Sequence, residues 1–295
     1  MSTANISMTQ RIKDYLSLIK FSHTVFALPF ALIGFSLAVI YEQYHFEWHL
    51  LIKMLLCMVF ARTAAMGFNR YLDRDIDILN PRTAKREIPA GVIQPKNALW
   101  FVIANCILFV VTCYFINTLV FYLSFVALFV ILFYSYTKRF TALCHLVLGI
   151  GLSLAPIGAY LVVTGAFSWL PVIFSVIVFT WVSGFDIIYA LQDEDFDRHH
   201  KLHSIPAALG IKNALGVSTL LHIISGALVV AAGFLASFNW IYWMGAIIFI
   251  LLLVYQHTLV KPRDLSKVNI AFMTTNGIGS IVFAVFTIIS LIFLV

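Results

Sequence analysis

Two acidic clusters of similar design lie 120 residues apart in the chain. Each follows a long apolar segment, and Arg and Lys residues are interspersed among its aspartates. The aspartates correspond in pairs: Asp73 with Asp193, Asp75 with Asp195, and Asp77 with Asp197. An Ile-Pro-Ala sequence also follows each cluster, at residues 88–90 and 205–207. This duplication indicates an internal repeat that carries an acidic site in each half.

The spacing within each cluster places polar side chains on one side of a helix. Asn69, Asp73 and Asp77 are four residues apart, so they share one face while the helix continues. The second cluster has the same spacing of three and four residues, at Asp186, Tyr189, Asp193 and Asp197. Two such faces at the mouth of one helix bundle can converge on a shared pocket.

Carboxylates crowded in this way repel one another and take up protons unless a cation lies between them. Mg²⁺ prefers oxygen ligands and is usually held by a few carboxylates together with substrate phosphates. The neighbouring Arg and Lys side chains suit the rest of a polyphosphate. The pattern therefore predicts Mg²⁺-assisted binding and departure of a diphosphate, with the organic tail of the substrate among the apolar helices.

Other interpretations account for less of the pattern. A single cluster of this kind is more often an ordinary loop of mixed charge, but two clusters in matching register disfavour that interpretation. The alternative function is a polytopic secondary transporter with a repeated acidic site, although transporter sites lie near the bilayer midplane. A purely structural scaffold gives no reason for the matched aspartates.

Composition predicts a membrane protein. The 295-residue chain is 62% apolar and 11% charged, whereas soluble domains average roughly half and a quarter. Apolar runs of about 20 residues recur, and each is long enough to cross a bilayer as a helix. We expect an all-α polytopic membrane protein with a single domain over residues 1–295, its motif loops being 69–96 and 189–212. Nine spans are predicted: Phe21–Tyr41, Leu50–Tyr71, Ala98–Ile116, Leu119–Tyr136, Leu143–Thr164, Leu170–Leu191, Ala214–Ala236, Trp240–Val260 and Ile270–Val295.

The loop charges predict the orientation of this bundle. Loops after the even-numbered spans are basic, at residues 74–96, 138–139, 198–212 and 261–267, whereas the alternate loops hold no Lys or Arg. By the positive-inside rule, the N-terminus and both motifs are cytoplasmic and the C-terminus lies outside. We expect an integral, multi-pass protein of the bacterial cytoplasmic (inner) membrane, with its active site on the cytoplasmic side.

The net charge of +6 does not indicate a nucleic-acid partner, because no basic tract stands apart from the loops. The four cysteines lie in or beside apolar segments without metal-ligand spacing, so they are expected to be small buried side chains. The membrane lipid is the expected environment, and no obligate protein partner is evident.

The motif residues resemble those of the UbiA family of intramembrane aromatic prenyltransferases. The family's first motif, NDxxDxxxD, reads NRYLDRDID at residues 69–77, with Arg70 where many members have Asp. Its second motif, DxxxD preceded by Tyr, reads YALQDEDFDR at residues 189–198. The resemblance extends to Asn-Pro-Arg-Thr at 80–83, Tyr-Ser-Tyr-Thr-Lys-Arg at 134–139 and Ser-Ile-Pro at 204–206. With nine helices it covers nearly the whole chain and implies a UbiA-type prenyltransferase fold.

The resemblance implies a reaction and a set of roles. A polyprenyl group would pass from polyprenyl diphosphate to a ring carbon of a small aromatic acceptor. The Asn-Arg form of the motif, with His23 and the FALPF sequence at 26–30, resembles the 4-hydroxybenzoate polyprenyltransferase branch, which is also linked to menaquinone. The acceptor would be of the 4-hydroxybenzoate type or 1,4-dihydroxy-6-naphthoate, in ubiquinone or menaquinone biosynthesis. The residues implied to be catalytic and to bind Mg²⁺ are Asn69, Asp73, Asp77, Asp193 and Asp197; those implied to bind the diphosphate are Lys138, Arg139, Arg198, Lys201 and Arg82.

Four further residues are candidates for binding the acceptor: Arg62, Asp186, Tyr189 and Tyr136. Arg62 lies roughly 10 Å deeper in the membrane than Asn69 and could hold an acceptor carboxylate or pair with Asp186. Asp186, at similar depth, is a candidate base or acceptor-orienting group. The two tyrosines could face the diphosphate or stabilise an allylic cation through their rings, or they could be interfacial anchors.

Overall fold

The computed structural model describes residues 8–20 and 25–294. Within these residues the regular structure is helical, apart from an isolated bridge between Lys261 and Asp264. The helices are α1 Met8–Leu18, α2 Leu28–Ser36, α3 Trp48–Asp77, α4 Pro95–Tyr114, α5 Thr118–Thr137, α6 Cys144–Thr164, α7 Trp169–Ala190, α8 Glu194–His199, α9 Ile205–Leu235, α10 Trp240–Leu259 and α11 Asn276–Ile292. Short π-helical segments, Leu37–Tyr41 and Ile270–Thr275, extend α2 and precede α11.

Eight of the described helical segments are long and apolar enough to cross a membrane. They correspond to the second to ninth predicted spans, which confirms those spans as helices. The first predicted span appears as a shorter apolar helix, Leu28–Tyr41. Its predicted start at Phe21, and His23, lie outside the described residues. The total of nine spans and the orientation of the termini stay predictions.

Helix α7, which leads to the second acidic motif, is the most enclosed of the long helices. In its most apolar stretch 67% of the residues are buried in the bundle, against 11% for α5. Its Trp181 lies 5.2 Å from Phe30 of α2 and 5.8 Å from Phe249 of α10, measured between ring centroids. The indole of Trp181 also donates a hydrogen bond of 2.9 Å to Asn276. The second motif is therefore anchored to the centre of the fold.

Close helix contacts depend on small residues, since lipid gives little hydrophobic drive for helices to associate. A Cβ atom at Gly34 of α2 would lie 2.0 Å from the carbonyl oxygen of Pro156 in α6. A Cβ atom at Gly184 of α7 would lie 2.4 Å from the ring of His222 in α9. Neither neighbour leaves room for a side chain, so these glycines set the spacing of the helix pairs.

The repeat visible in the sequence has a structural counterpart after each motif. The Ile-Pro-Ala sequence at 88–90 is followed by Gly91 with φ of +73°, and Gly210 follows the second copy with φ of +75°. Glycine adopts this left-handed region at no steric cost. At Gly210 the backbone departs from helical geometry inside α9. Both halves therefore reorient the chain shortly after the acidic motif.

Candidate active site

A cavity of about 1010 Å³ lies among α3, α5, α6 and α7 and joins a charged end to an apolar interior. Along α3 its lining runs from Met54 to Asp77, a rise of about 35 Å. All five predicted metal-binding residues line this cavity: Asn69, Asp73, Asp77, Asp193 and Asp197. The structure therefore brings the two motifs to one cavity, as the matched spacing predicts.

Asp73 is the most deeply buried motif carboxylate, with 2% of its side chain exposed. Lys138 Nζ lies 2.7 Å from one carboxylate oxygen and Arg139 Nη2 lies 3.0 Å from the other. Asn69 donates a further hydrogen bond of 3.1 Å. A buried carboxylate needs such partners because an unpaired charge is costly away from water. The first motif is thus tied to the end of α5.

Asp77, one turn further along α3, is held by the loop that follows its own helix. Arg86 Nη1 donates to both of its carboxylate oxygens, at 2.7 and 2.8 Å. Thr83 Oγ1 donates to the Asp77 backbone oxygen at 2.9 Å, which fixes the loop against the helix end. Arg86 was not among the predicted site residues, although its place in the basic loop after the motif was visible in the sequence.

Arg82 of the same loop connects the two motifs. Its Nε donates to Asp193 Oδ1 at 2.9 Å, and its Nη2 forms an ion pair with the other carboxylate oxygen. Its Nη1 donates to the Tyr189 hydroxyl at 2.9 Å, and Asn80 donates to Asp193 at 3.1 Å. Burial alone lowers the pKa of the Arg82 guanidinium, but the hydrogen bond and charge of Asp193 outweigh it and raise the pKa above its ordinary value. Arg82 stays a cation between the motifs.

Other predicted diphosphate ligands lie elsewhere. Arg198 forms an ion pair with Glu194 on its own helix, and 58% of its side chain is exposed. Lys201 is exposed after the end of α8. Neither side chain is part of the cavity lining, in contrast to Arg82 and Lys138. The structure therefore does not bring these two cations to the aspartates.

Deeper in the cavity, Arg62 and Asp186 do not pair with each other. Arg62 Nη2 donates to the carbonyl oxygen of Lys20 at 3.1 Å, and its buried Nε has no hydrogen-bond partner in the described part of the chain. Asp186 Oδ2 lies 2.7 Å from Nδ1 of His145, on α6. Arg62, Asp186 and His145 all line the cavity. A lone histidine in an apolar span gave no signal for His145 in the sequence.

The two predicted tyrosines occupy different environments. Tyr189 lines the cavity, lies 5.2 Å below the Arg82 guanidinium, and stacks on Phe272 at 4.1 Å. Tyr136 is 42% exposed, lies 5.8 Å from Phe68, and is not part of the cavity lining. The structure therefore brings Tyr189 to the cavity and leaves Tyr136 outside it, and the roles of both stay predictions.

The oxygen donors of the two motifs suit a metal that arrives with a phosphate ligand. Among the described residues, no group of three or more His, Cys, Asp or Glu side chains is arranged to hold a metal ion by itself. Mg²⁺ rarely needs such a cage, since one or two carboxylates, several waters and substrate phosphates complete its shell. Carboxylates from two elements that line one cavity fit that requirement.

The model of the UbiA prenyltransferase family matches residues 27–278. The chain belongs to this family. It is therefore an enzyme, a prenyltransferase, and an all-α, multi-pass membrane protein with the UbiA fold, as the sequence predicts.

Relatives and solved structures agree with the UbiA assignment. The chain is 32% identical over 247 residues to 4-hydroxybenzoate octaprenyltransferase of Aliivibrio salmonicida, a match that covers 80% of this chain and 83% of the relative. The apo structure of a UbiA homologue from Aeropyrum pernix K1 has a TM-score of 0.81 and 32% identity, over 90% of this chain and 97% of that one. A UbiA homologue from Archaeoglobus fulgidus, bound to DMAPP and Mg²⁺, shares the fold with a TM-score of 0.76, 21% identity, and coverage of 96% and 100%.

Proposed function

We propose that this enzyme transfers a polyprenyl group from polyprenyl diphosphate to a ring carbon of a hydroxyaryl carboxylate. The acceptor is of the 4-hydroxybenzoate type or 1,4-dihydroxy-6-naphthoate, and the product serves ubiquinone or menaquinone biosynthesis. The name of the Aliivibrio salmonicida relative supports the hydroxybenzoate acceptor and a long polyprenyl donor.

One observation carries this proposal: the cavity combines a polar head site with a long apolar region. Its charged end holds the aspartates of both motifs, and its apolar end reaches Met54 on α3 and Val162 on α6. A polyprenyl diphosphate has the same division into a charged head and an apolar tail. The reactive allylic carbon would therefore lie below the motifs, within the bundle and away from water.

Mg²⁺ is the proposed metal, held by Asn69, Asp73, Asp77, Asp193 and Asp197. When bound, it supplies a Lewis acid that stabilises negative charge on the departing diphosphate. The presence of DMAPP and Mg²⁺ in the Archaeoglobus fulgidus homologue supports this choice. Three of these aspartates, Asp73, Asp77 and Asp193, are already paired with cations of this chain: Lys138, Arg139, Arg86 and Arg82. These cations can turn from the carboxylates to the phosphate oxygens as substrate binds.

The cations at the head site have graded roles in this proposal. Lys138, Arg139 and Arg82 contact motif aspartates directly and would neutralise the leaving group. Arg198 and Lys201 lie outside the cavity lining and, unlike Arg139, form no ion pair with a motif aspartate in the described part of the chain, so they would act on the diphosphate only at longer range.

Arg62 is the proposed partner of the acceptor carboxylate, because one of its buried guanidinium nitrogens has no hydrogen-bond partner among the described residues. Tyr189 would face the allylic carbon and stabilise developing positive charge through its ring. Tyr136 would border the head site from the outside. The motif end would face the cytoplasm in the bacterial inner membrane, which agrees with the basic loops that surround it.

The test is prenyl transfer in membranes that contain this chain. Polyprenyl diphosphate is supplied with either acceptor, and with Mg²⁺ or EDTA. Asp73→Asn and Asp193→Asn are expected to lower the rate by about 10²-fold or more, since each removes a charge that positions the head group. EDTA is expected to abolish product, and restored Mg²⁺ to return it.

Asp75→Asn and Asp195→Asn are matched controls, because these aspartates occupy the same register in the two motifs but do not line the cavity. Both controls should retain wild-type rates. Product that survives EDTA, or equal losses in controls and motif variants, would contradict the proposed head site.

A further inference from the structure

His145 and Asp186 form a buried pair that faces the reaction cavity from two different helices. His145 is the second residue of α6, is 4% exposed, and lies 2.7 Å from Asp186 of α7. Its other ring nitrogen, Nε2, lies 3.3 Å from the backbone nitrogen of Ile205, the first residue of α9. The imidazole thus joins three helices at the edge of the cavity.

These two contacts indicate the hydrogen-bonding role of each ring nitrogen. The backbone N–H of Ile205 can only donate, so Nε2 of His145 must accept. In a neutral imidazole the proton is then on Nδ1, which donates to Asp186 Oδ2. Asp186 Oδ2 is in this way held as an acceptor, and the second carboxylate oxygen receives no hydrogen bond from the described residues. Its side chain is 21% exposed, so that oxygen is reachable from the cavity.

Asp186 and Arg62 line the cavity at a similar depth below the two motifs. Asp186 precedes Asp193 by seven residues, and Arg62 precedes Asn69 by seven, so both lie roughly 10 Å deeper than the motifs. Tyr134 of α5 lies within electrostatic range of both Arg62 and Asp186. An acceptor between these groups would meet a cation on one side and a hydrogen-bond acceptor on the other.

We propose that His145 is a positioning residue that presents Asp186 to the hydroxyl group of the aromatic acceptor. This inference rests on the proposed function and adds to it the group that recognises the hydroxyl. A hydroxyl that donates to a carboxylate makes the ring more electron-rich, and the effect depends on the carboxylate being held in place.

The proposed step conserves atoms and electrons. The ring carbon beside the hydroxyl-bearing carbon forms a bond to the allylic carbon, and the carbon–oxygen bond to the diphosphate breaks with its electron pair on the diphosphate. The hydroxyl proton moves to Asp186, which leaves a neutral dienone. The ring carbon then loses its proton to the departed diphosphate, and Asp186 returns a proton to the oxygen, which restores the phenol.

Two substitutions at His145 separate positioning from simple structural support. The amide nitrogen of His145→Asn replaces Nδ1 and keeps the donor to Asp186, but it loses the acceptor for Ile205. The amide oxygen of His145→Gln can reach the Nε2 position and keep that acceptor, but it loses the donor to Asp186. Steady-state rates are measured in two series: the acceptor concentration is varied at saturating donor, and the donor concentration is varied at saturating acceptor.

His145→Gln is expected to lower kcat/KM for the acceptor by about tenfold or more, with the KM of the donor changed less than about twofold. His145→Asn should stay within about threefold of wild type. The opposite ranking, or equal losses in both variants, would show that His145 only supports the start of α9 and would overturn the proposal.

A second readout tests recognition of the hydroxyl itself. Benzoate lacks the hydroxyl and serves as a competitive inhibitor. The ratio of its inhibition constant to the KM of the hydroxylated acceptor therefore measures the preference for the hydroxyl group. This preference should fall in His145→Gln and in Asp186→Asn. If the His145→Gln protein does not accumulate in membranes, the Asp186→Asn variant is sufficient for this test. An unchanged preference in an active Asp186→Asn enzyme overturns the inference while the proposed function stands. Absence of transfer by the wild type with both acceptors would instead count against the proposed function.

Discussion

Several of the motif aspartates form ion pairs with cationic side chains in this structure. Asp73 contacts Lys138 and Arg139, Asp77 contacts Arg86, and Asp193 contacts Arg82. Burying a carboxylate without a partner is costly, so the cations stabilise the aspartates themselves as well as the leaving group. If a metal–diphosphate binds here as we propose, the cations would move from the aspartates to the phosphate oxygens, and little net charge would be buried.

Arg82 is the residue at which this exchange is most directly tested. Arg82→Gln removes the hydrogen bond between the first-motif loop and the Tyr189 hydroxyl, together with the ion pair to Asp193. We expect the KM of the polyprenyl diphosphate to rise about tenfold, equivalent to about 1.4 kcal/mol, with a smaller change in the KM of the acceptor. Donor-dependent rates measure the effect.

Arg198→Gln is the comparison for Arg82→Gln, because Arg198 lies in the second motif but pairs with Glu194 outside the cavity lining. Its effect on the KM of the donor should be clearly smaller. A larger effect at Arg198 would return that residue to direct contact with the diphosphate, and would show that the head site rearranges when substrate binds.

Helix geometry explains which site residues the sequence could predict. Spacing of four residues found Asn69, Asp73 and Asp77, because that spacing defines one helix face. The role of Arg198 was implied by the resemblance of the second motif, yet successive residues point about 100° apart on a helix, so the neighbour of Asp197 faces in another direction. His145 lies 41 positions from Asp186 on another helix, and no periodic pattern marks such a contact.

At the scale of helices, hydropathy located the spans but not their polar extensions. The sixth predicted span, Leu170–Leu191, agrees with α7 within one residue at each end. The seventh, predicted from Ala214, lies in α9, whose first segment begins at Ile205 and is separated from the long apolar run by the non-helical backbone of Gly210. The Ser204 hydroxyl caps the start of α9 by accepting a hydrogen bond from the backbone N–H of Ala207. A hydropathy pattern does not reveal such a capping residue.

The close approach of α2 and α6 predicts a strong effect of a small change. Gly34→Ala would place a methyl group 2.0 Å from the carbonyl oxygen of Pro156, and backbone on both sides must move to relieve the overlap. We expect a loss of stability of about 2 kcal/mol, in the range for overpacked cores. Thermal unfolding in detergent measures it.

Gly226→Ala is the matched control for Gly34→Ala. Gly226, within α9, is also a helical glycine, but its added methyl group would meet Ile250 at 3.6 Å, an ordinary contact. Its unfolding temperature should stay near that of the wild type. A stable Gly34→Ala variant would show that α2 is not held against α6 at this distance in the membrane.

For the whole molecule, the shape of the cavity relates the fold to an amphiphilic substrate. Helix α6 lines it from His145 to Val162, a rise of about 25 Å. Polar residues at one end of the bundle would contact the diphosphate head group of the substrate. The rest of the cavity is available to its isoprenoid tail. The sequence predicted both ends but not the path between them, because the path depends on how four helices pack.

The depth of this path predicts how the enzyme discriminates tail lengths. Gly158 lines the cavity about 20 Å along α6 from His145, and a Cβ atom there would meet nothing within 4 Å. Gly158→Leu would therefore fill the path without distorting the helix. We expect short-chain allylic diphosphates to keep wild-type rates, and long-chain donors to lose activity by about tenfold or more, since a displaced tail misplaces the reactive carbon.

Gly216→Leu provides the control for this substitution, because Gly216 of α9 also has open space at its Cβ but does not line the cavity. Rates with donors of increasing length are compared for both variants. Equal sensitivity of short and long donors to Gly158→Leu would place the tail elsewhere, against the lipid rather than along α6. A selective loss of long donors in Gly158→Leu alone would trace the tail through the bundle, because only an occupied path can be blocked by a side chain that leaves the head site intact.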